Sequence, residues 1–352
     1  MNKEIIKKII EAGNQAPSGG NSQPWKFVVE DNVIHIILLP EKDHRVLNFK
    51  NRGTYIAHGA LIENIYIAAQ HFGYKTEVNL FPKSNVSASI IFSPLVEERR
   101  NEDLYQWIFE RHSNRKKFKT DFSITEKEKD FILQDKERFI RCKLSLIKGP
   151  IIVDAAKNLA LDTVVSLQNK LLHKLLFQEI LWNEDDQKYR SGLYIKTIEI
   201  APPKSFVFKL LSNWNVAKFF GKTKLLQKVY EENIKTTSSA KLLGFISVGD
   251  SNIDFIYAGR LMENIWLRCA SLRISFHLIT SLLFYWQQLN SGDKEIFSDK
   301  EKSLINNAYN NLSKIIGSGK NEIITLAFRI GKADKPMAVS YKRPPEIEWV
   351  NF

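Results

Sequence analysis

Apolar residues recur with helical spacing at the start of the chain. Ile5, Ile6, Ile9 and Ile10 share one face of a helix predicted over about residues 2–15. A dense run of turn residues, Ala16-Pro17-Ser18-Gly19-Gly20-Asn21-Ser22-Gln23-Pro24, stops it. The pattern then predicts strands over 25–30 and 33–39, joined as a hairpin by Asp31-Asn32. A long apolar helix spans about 52–72 and stops at Gly73, and strands at about 75–80 and 88–92 close a first unit. A second unit opens with a helix around 101–112. It continues through a helical stretch at 125–136, a strand at 143–147 and one long helix over about 151–180. Residues 183–240 change character, with Asp185-Asp186, Pro202-Pro203, Thr236-Thr237-Ser238-Ser239 and scattered aromatics, and read as an insertion rather than core secondary structure. Regular elements return with a strand at 242–248, helices at about 254–272 and 300–316, and a strand at 322–330. A tail then runs through Arg343-Pro344-Pro345.

Within this pattern lies a repeat. Gly59-Ala60-Leu61-Ile62-Glu63-Asn64-Ile65-Tyr66-Ile67 aligns with Gly259-Arg260-Leu261-Met262-Glu263-Asn264-Ile265-Trp266-Leu267, identical at five of nine positions and 200 residues apart. Both copies sit in a long helix that feeds a strand. Two related α+β halves would form an internal pseudo-dimer, with a ligand between them.

Length and composition fit that arrangement. The chain has 352 residues, 44% hydrophobic and 26% charged, enough for two domains with ordinary globular cores. The net charge of +12 favours anionic partners, but acidic residues interrupt nearly every basic run. Cys142 and Cys269 are far apart and without a CxxC, which argues against a disulfide framework and structural zinc. The most apolar stretch, 272–286, is broken by Arg273 and His277 and is too short to span a bilayer. A reducing cytoplasm is the expected compartment.

Two segments carry candidate chemistry. In Arg111-His112-Ser113-Asn114-Arg115, residues 111, 113 and 115 alternate, so an extended backbone turns two guanidiniums and a hydroxyl to one side, a set suited to a phosphate. In the turn run, Gly19-Gly20 lets the backbone approach a planar ligand, and Asn21 and Gln23 offer amides to a heterocycle edge. Gly317-Ser318-Gly319-Lys320 lacks the P-loop spacing, and no GxGxxG follows a strand. His58, His112 and His277 read as satisfied structural histidines.

Ala16-Pro17-Ser18-Gly19-Gly20-Asn21-Ser22-Gln23-Pro24-Trp25-Lys26-Phe27 resembles the APSxxNxQPWxF signature of the FMN-dependent nitroreductase superfamily. Arg111-His112-Ser113-Asn114-Arg115 resembles its phosphate motif, both repeat helices its central helix, and Lys342-Arg343-Pro344-Pro345 its basic C-terminal tail. With one signature in each half, the arrangement is similar to the Acg-like branch, in which one chain imitates the dimer. The resemblance implies an α+β, nitroreductase-like fold duplicated in one chain, each half a mainly antiparallel sheet flanked by helices. The halves would be residues 1–98 and 99–352, the second carrying a lid-like insertion at about 183–240. It implies one FMN per chain. Arg111 and Ser113 would hold the phosphate, His112 would belong to the same cofactor site, and Arg115 would lie near the ring. Pro17, Ser18, Gly19 and Asn21 would pack on the isoalloxazine, Lys342 and Arg343 would close on the phosphate, and Thr280 and Ser281 would border flavin N5.

The activity so implied is two-electron transfer through N5 from a reductant such as NAD(P)H to a small, planar, electron-poor acceptor, with no catalytic side chain and no metal required. The alternative is a non-catalytic protein that stores FMN under a lid. No nucleic-acid partner and no membrane partner is expected, and either a monomer or a homodimer fits.

Overall fold

The computed structural model describes residues 1–43, 47–96, 103–200, 202–221, 223–290 and 294–350. Helix α1 (Lys3–Gly13) starts where the Asn2 side chain accepts from the Glu4 N–H at 2.8 Å, and it buries Ile6, Ile9 and Ile10. Strands β1 (Trp25–Glu30) and β2 (Val33–Leu38) form the expected hairpin, with Glu30 opposite Val33. Helix α2 (Arg52–His71), β3 (Tyr74–Lys83) and β4 (Val86–Pro94) follow, and α3 (Tyr105–Glu110) opens the second half. Asn101, the expected start of that helix, and the expected boundary at 98/99 lie outside the described residues.

The second half continues through α4 (Glu126–Ile132) and β5 (Cys142–Ile147). The single helix expected over 151–180 is instead three: α5 (Ile151–Leu159), α6 (Leu161–Gln168) and α7 (Lys170–Glu179). Asn169 causes the second break. Its backbone is extended, and its side chain accepts from the Leu171 and Leu172 N–H groups, so it starts a new helix instead of continuing the old one. Two-residue strands β6 (Ile180–Leu181) and β7 (Leu193–Tyr194) pair in parallel. Residues 183–240 also hold α8 (Lys204–Leu210), α9 (Trp214–Phe220) and α10 (Lys224–Ser238). Helix α10 lies along α5 and α6, where Tyr230 donates to the Lys157 carbonyl at 2.9 Å and Asn233 to Thr163 at 2.6 Å. The chain closes with β8 (Leu242–Val248), α11 (Asn252–Ser271), β9 (Ser275–Ile279), α12 (Ser281–Leu289), α13 (Asp299–Ile316), β10 (Ile323–Gly331) and β11 (Ile347–Val350).

These elements make an α+β fold with one main sheet in each half, beside the two-stranded β6-β7 pair. The first sheet runs β11-β1-β2-β4-β3 and is antiparallel except where β11, from the end of the chain, joins β1 in parallel. The second, β5-β8-β10-β9, is antiparallel throughout. Helix α2 packs on the first sheet and α11 on the second, and one continuous core joins them. A second core lies on the far face of the second sheet, under α5, α12 and α13. Strand β8 is therefore buried on both faces, whereas β3 alternates.

The repeat identified in the sequence is where the halves meet. Helices α2 and α11 cross at Gly59 and Gly259 with their backbones in contact. A Cβ on Gly59 would stand 2.0 Å from the Ile256 carbonyl oxygen, and one on Gly259 would stand 1.9 Å from that of Ile56. The two contacts exchange residues 200 positions apart, as a two-fold relation between the halves requires. Gly59→Ala or Gly259→Ala cannot be relieved by a rotamer change, since backbone is what the methyl meets. Each is expected to cost roughly 3 kcal/mol or more, measured by urea unfolding. Gly19→Ala, with nothing within 4 Å of its added Cβ, should leave the midpoint nearly unchanged.

Candidate functional site

A cleft of about 540 Å³ lies across this crossing, with Ile56 and Ala57 of α2 and Met262 and Trp266 of α11 in its lining. Its size suits a small molecule or cofactor. The turn run enters from the first half. Asn14, just past α1, accepts from the Gln23 amide and the Trp25 indole at 3.0 Å each, and His58 of α2 meets the Pro24 carbonyl at 2.9 Å. His58 is buried, and burial lowers its pKa to about 4. It is a neutral structural histidine, as expected. Gly20, Asn21 and Gln23 all take left-handed backbone conformations, which turns the loop back toward the cleft.

The second half supplies residues 111–115. Asn114 donates its N–H to the Phe276 carbonyl at 2.8 Å, and Ser113 forms a parallel bridge with Phe276. This edge pairing with β9 gives the extended backbone that the alternation of Arg111, Ser113 and Arg115 anticipates, and all three line the cleft. Pro17, Ser18, Gly19, Asn21, His112, Thr280, Ser281 and Lys342 line it too. Arg343 does not. Its guanidinium donates to the Ser22 carbonyl at 2.8 Å, so it braces the turn run from behind. The amides of Asn21 and Gln23, expected at a heterocycle edge, are taken by the tail. Asn21 donates to the Tyr341 carbonyl at 2.8 Å, and Gln23 exchanges bonds with the Arg343 backbone.

The cations are held in different ways. Arg111 is buried, with Nε 2.9 Å from the fully buried Glu263, Nη2 donating to the Gln15 carbonyl at 2.6 Å, and its plane over Trp266 at 4.3 Å. Burial raises the Glu263 pKa and lowers that of Arg111, while each partner opposes the shift of the other. Arg115 donates to the Thr197 carbonyl at 2.8 Å. Lys342 donates to the Ala16 carbonyl at 2.7 Å and to Asn21 at 2.8 Å; burial and then repulsion from Arg111 hold its pKa at about 7. Arg329 of β10 is fully buried, with no carboxylate in ion-pair range among the described residues. It donates to the carbonyls of Thr236 and Lys116 and to His277 Nδ1.

His277 also lines the cleft. Burial and then Arg329 drive its pKa well down, so the ring is neutral. With Nδ1 accepting, Nε2 carries the hydrogen and is a donor. Three acids, Asp43, Asp162 and Glu179, complete the lining. Burial raises Asp162 of α6 to about 6 and Glu179 of α7 to about 7. The Glu179 carboxyl carbon would be 3.2 Å from a Cβ on Gly20, so α7 closes over the turn run there. The sequence reading takes His277 for a structural histidine and does not single out Asp43, Asp162 or Glu179. Only Asn169, which ends one helix and aims the next, was a legible signal for any of them. Among the described residues no group of three His, Cys, Asp or Glu could hold a metal ion, and no helix is long and apolar enough to cross a membrane.

Two sheet-bearing halves, crossed at paired glycines, thus stand over the cleft. The Nitroreductase family model matches residues 1–36. Over 94 residues the chain is 30% identical to the "Putative NAD(P)H nitroreductase acg" of Mycobacterium tuberculosis, a match spanning 26% of this chain and 28% of that protein. It is 21% identical over 344 residues to the uncharacterized protein MT1398 of the same species, covering 95% of this chain and 47% of that one. Among solved structures, it is similar to the FMN and NADPH-dependent nitroreductase NfnB of a Sphigopyxis strain. There the identity is 13% and the TM-score 0.40, with coverage of 71% of this chain and 100% of that one.

The buried pair of Arg111 and Glu263 gives a direct test of the geometry. Glu263→Gln leaves the Arg111 charge beside a neutral amide and should cost about 3 kcal/mol in urea unfolding. Ser113→Ala should shift stability by less than about 0.5 kcal/mol. Equal midpoints for wild type and Glu263→Gln would mean that the pair is not formed.

Proposed function

We propose that the cleft binds FMN and that the protein is a flavin oxidoreductase of nitroreductase type, passing two electrons from a reductant such as NAD(P)H to a small, planar, electron-poor acceptor. One observation carries this reading: the turn run of the first half and Arg111, Ser113 and Arg115 of the second line a single cleft. The charge balance suits a phosphorylated ligand. Arg115 leans on a carbonyl, and burial, then repulsion from Arg111, lowers the Lys342 pKa to about 7. A phosphate would relieve both and draw a proton onto Lys342.

The donor set fits the cofactor. Arg111 and Ser113 would hold the phosphate, with His112 beside them; the Ser113 hydroxyl has no hydrogen-bond partner among the described residues. Pro17, Ser18, Gly19 and Asn21 would pack against the ring from the first half, and Thr280 and Ser281 would border it from the second. When bound, FMN supplies a ring N5 that takes up and later gives up an electron pair. Arg115 would stabilise negative charge on the ring, and the Nε2–H of His277 offers a neutral donor. Arg343 acts at one remove, by bracing the turn run that carries Asn21 and the Lys342 contact. Above neutral pH, ionised Asp162 and Glu179 disfavour an anionic acceptor. A reducing cytoplasm suits the two free thiols.

The storage reading has its own support. Leu193 and Thr197, from the segment expected as a lid, line the cleft, and the Thr197 carbonyl holds Arg115. Rapid-mixing reduction separates the two: the oxidoreductase reading expects NADPH and dithionite both to reduce bound flavin. Reduction by dithionite alone would favour storage. For the binding site, Arg111→Ala would also strand Glu263, so Ser113→Ala with Arg115→Ala is the cleaner variant. It should weaken FMN binding roughly 30- to 1,000-fold while retaining the fold. Undiminished flavin content after purification would count against the phosphate assignment.

A further inference from the structure

Residues 200–230 contain six lysines and no acidic residue, so about half of the net charge of +12 sits in this short stretch. The same stretch exposes large apolar side chains. Phe206 is 67% exposed, Leu210 50% and Val207 39% on α8, and Phe219 is 69% exposed on α9. These four fall within fourteen residues; Met337, Val339 and Tyr341 form another such run, but one with fewer exposed lysines along it. The inward positions of both helices are already satisfied. Phe208 packs on Phe177 of α7 at 4.9 Å, Trp214 on His173 at 5.2 Å, and Leu211 and Ala217 are buried. Phe206, Val207 and Leu210 fall on the opposite side of α8, so they are not core residues in the wrong place. Lys204, Lys209, Lys218, Lys224 and Lys228, in the same stretch of chain, are exposed as well.

We propose that the outer face of α8 and α9 docks on an anionic lipid surface, lying in the headgroup region without crossing the bilayer. Exposed apolar side chains interspersed with lysines are what such a surface accepts: the rings and aliphatic chains enter the acyl boundary and the ammonium groups meet lipid phosphates. The absence of a spanning segment, which set membranes aside in the sequence, does not bear on this mode. Two other occupants fit less well. A second copy pairing through the same patch would bring one lysine cluster against another. A nucleic acid could stack on the phenylalanines but has no use for Val207 and Leu210, which lack a π face. The docked face lies next to the cleft, since α7 carries both Phe177, under α8, and Glu179, in the cleft lining.

The test is co-sedimentation of the full-length protein with vesicles of pure phosphatidylcholine and of phosphatidylcholine with phosphatidylglycerol. Binding is expected to the anionic vesicles only and to weaken as salt rises. Phe206→Ser with Phe219→Ser should reduce it at least about tenfold. Lys204→Gln, Lys218→Gln and Lys224→Gln together should reduce it roughly a hundredfold. All these positions are exposed, so circular dichroism and the thermal midpoint should stay at wild-type values and separate lost docking from lost folding. No binding to anionic vesicles, equal binding to neutral ones, or binding untouched by both sets of changes would overturn the proposal. So would tighter, Phe-insensitive binding to an RNA or DNA oligomer, or lipid-free dimerisation abolished by the Phe changes.

Discussion

Everything in this molecule hangs on the contact between two helix backbones. Gly59 and Gly259 let α2 and α11 approach until each added Cβ would overlap a carbonyl oxygen of the other helix. A contact that close fixes where the two sheets stand, and with them the loops on either side of the cleft. It also fixes the buried charges one turn on. Glu63 and Glu263 follow their glycines at the same interval, and both are fully buried. A buried carboxylate needs a cation, and the two halves answer that need differently.

On the cleft side Glu263 takes Arg111, which also lines the cleft. On the other side Glu63 takes Arg138 and Arg260, at 3.0 Å each, and Asn264 adds a bond at 3.2 Å. Arg138 follows α4, and the buried Phe139 beside it joins the main core. The position related to the cleft by the two-fold is thus packed with side chains. The two related glutamates are used differently: Glu263 holds an arginine that lines the cleft, and Glu63 holds a pair of arginines.

Much of this was legible in the sequence, and for physical reasons. Turn residues and apolar periodicity mark the hairpin, the two long helices and the alternation of Arg111, Ser113 and Arg115, because these depend on neighbours close along the chain. The Gly-x-Leu-x-Glu-Asn repeat marks the crossing because only glycine permits that approach. What escaped depends on distant partners. Asn21 and Gln23 read as free amides, since nothing near them announces that Tyr341 and Arg343 will occupy them. Asp162 and Glu179 lie in a run with ordinary helical periodicity, and their place in the cleft follows from the breaks around Ala160 and Asn169. The four residues of β11 are too few to show a strand pattern alone.

The central claim is that two halves build one flavin site, over one side of the crossing, while the other side is filled. The most direct measurement is the ratio of FMN to chain after saturation with FMN and removal of the unbound excess, from flavin absorbance and amino-acid analysis. The account predicts one FMN per chain. Two per chain would show that the side closed by Glu63, Arg138 and Arg260 is also a site, and none would contradict the claim outright.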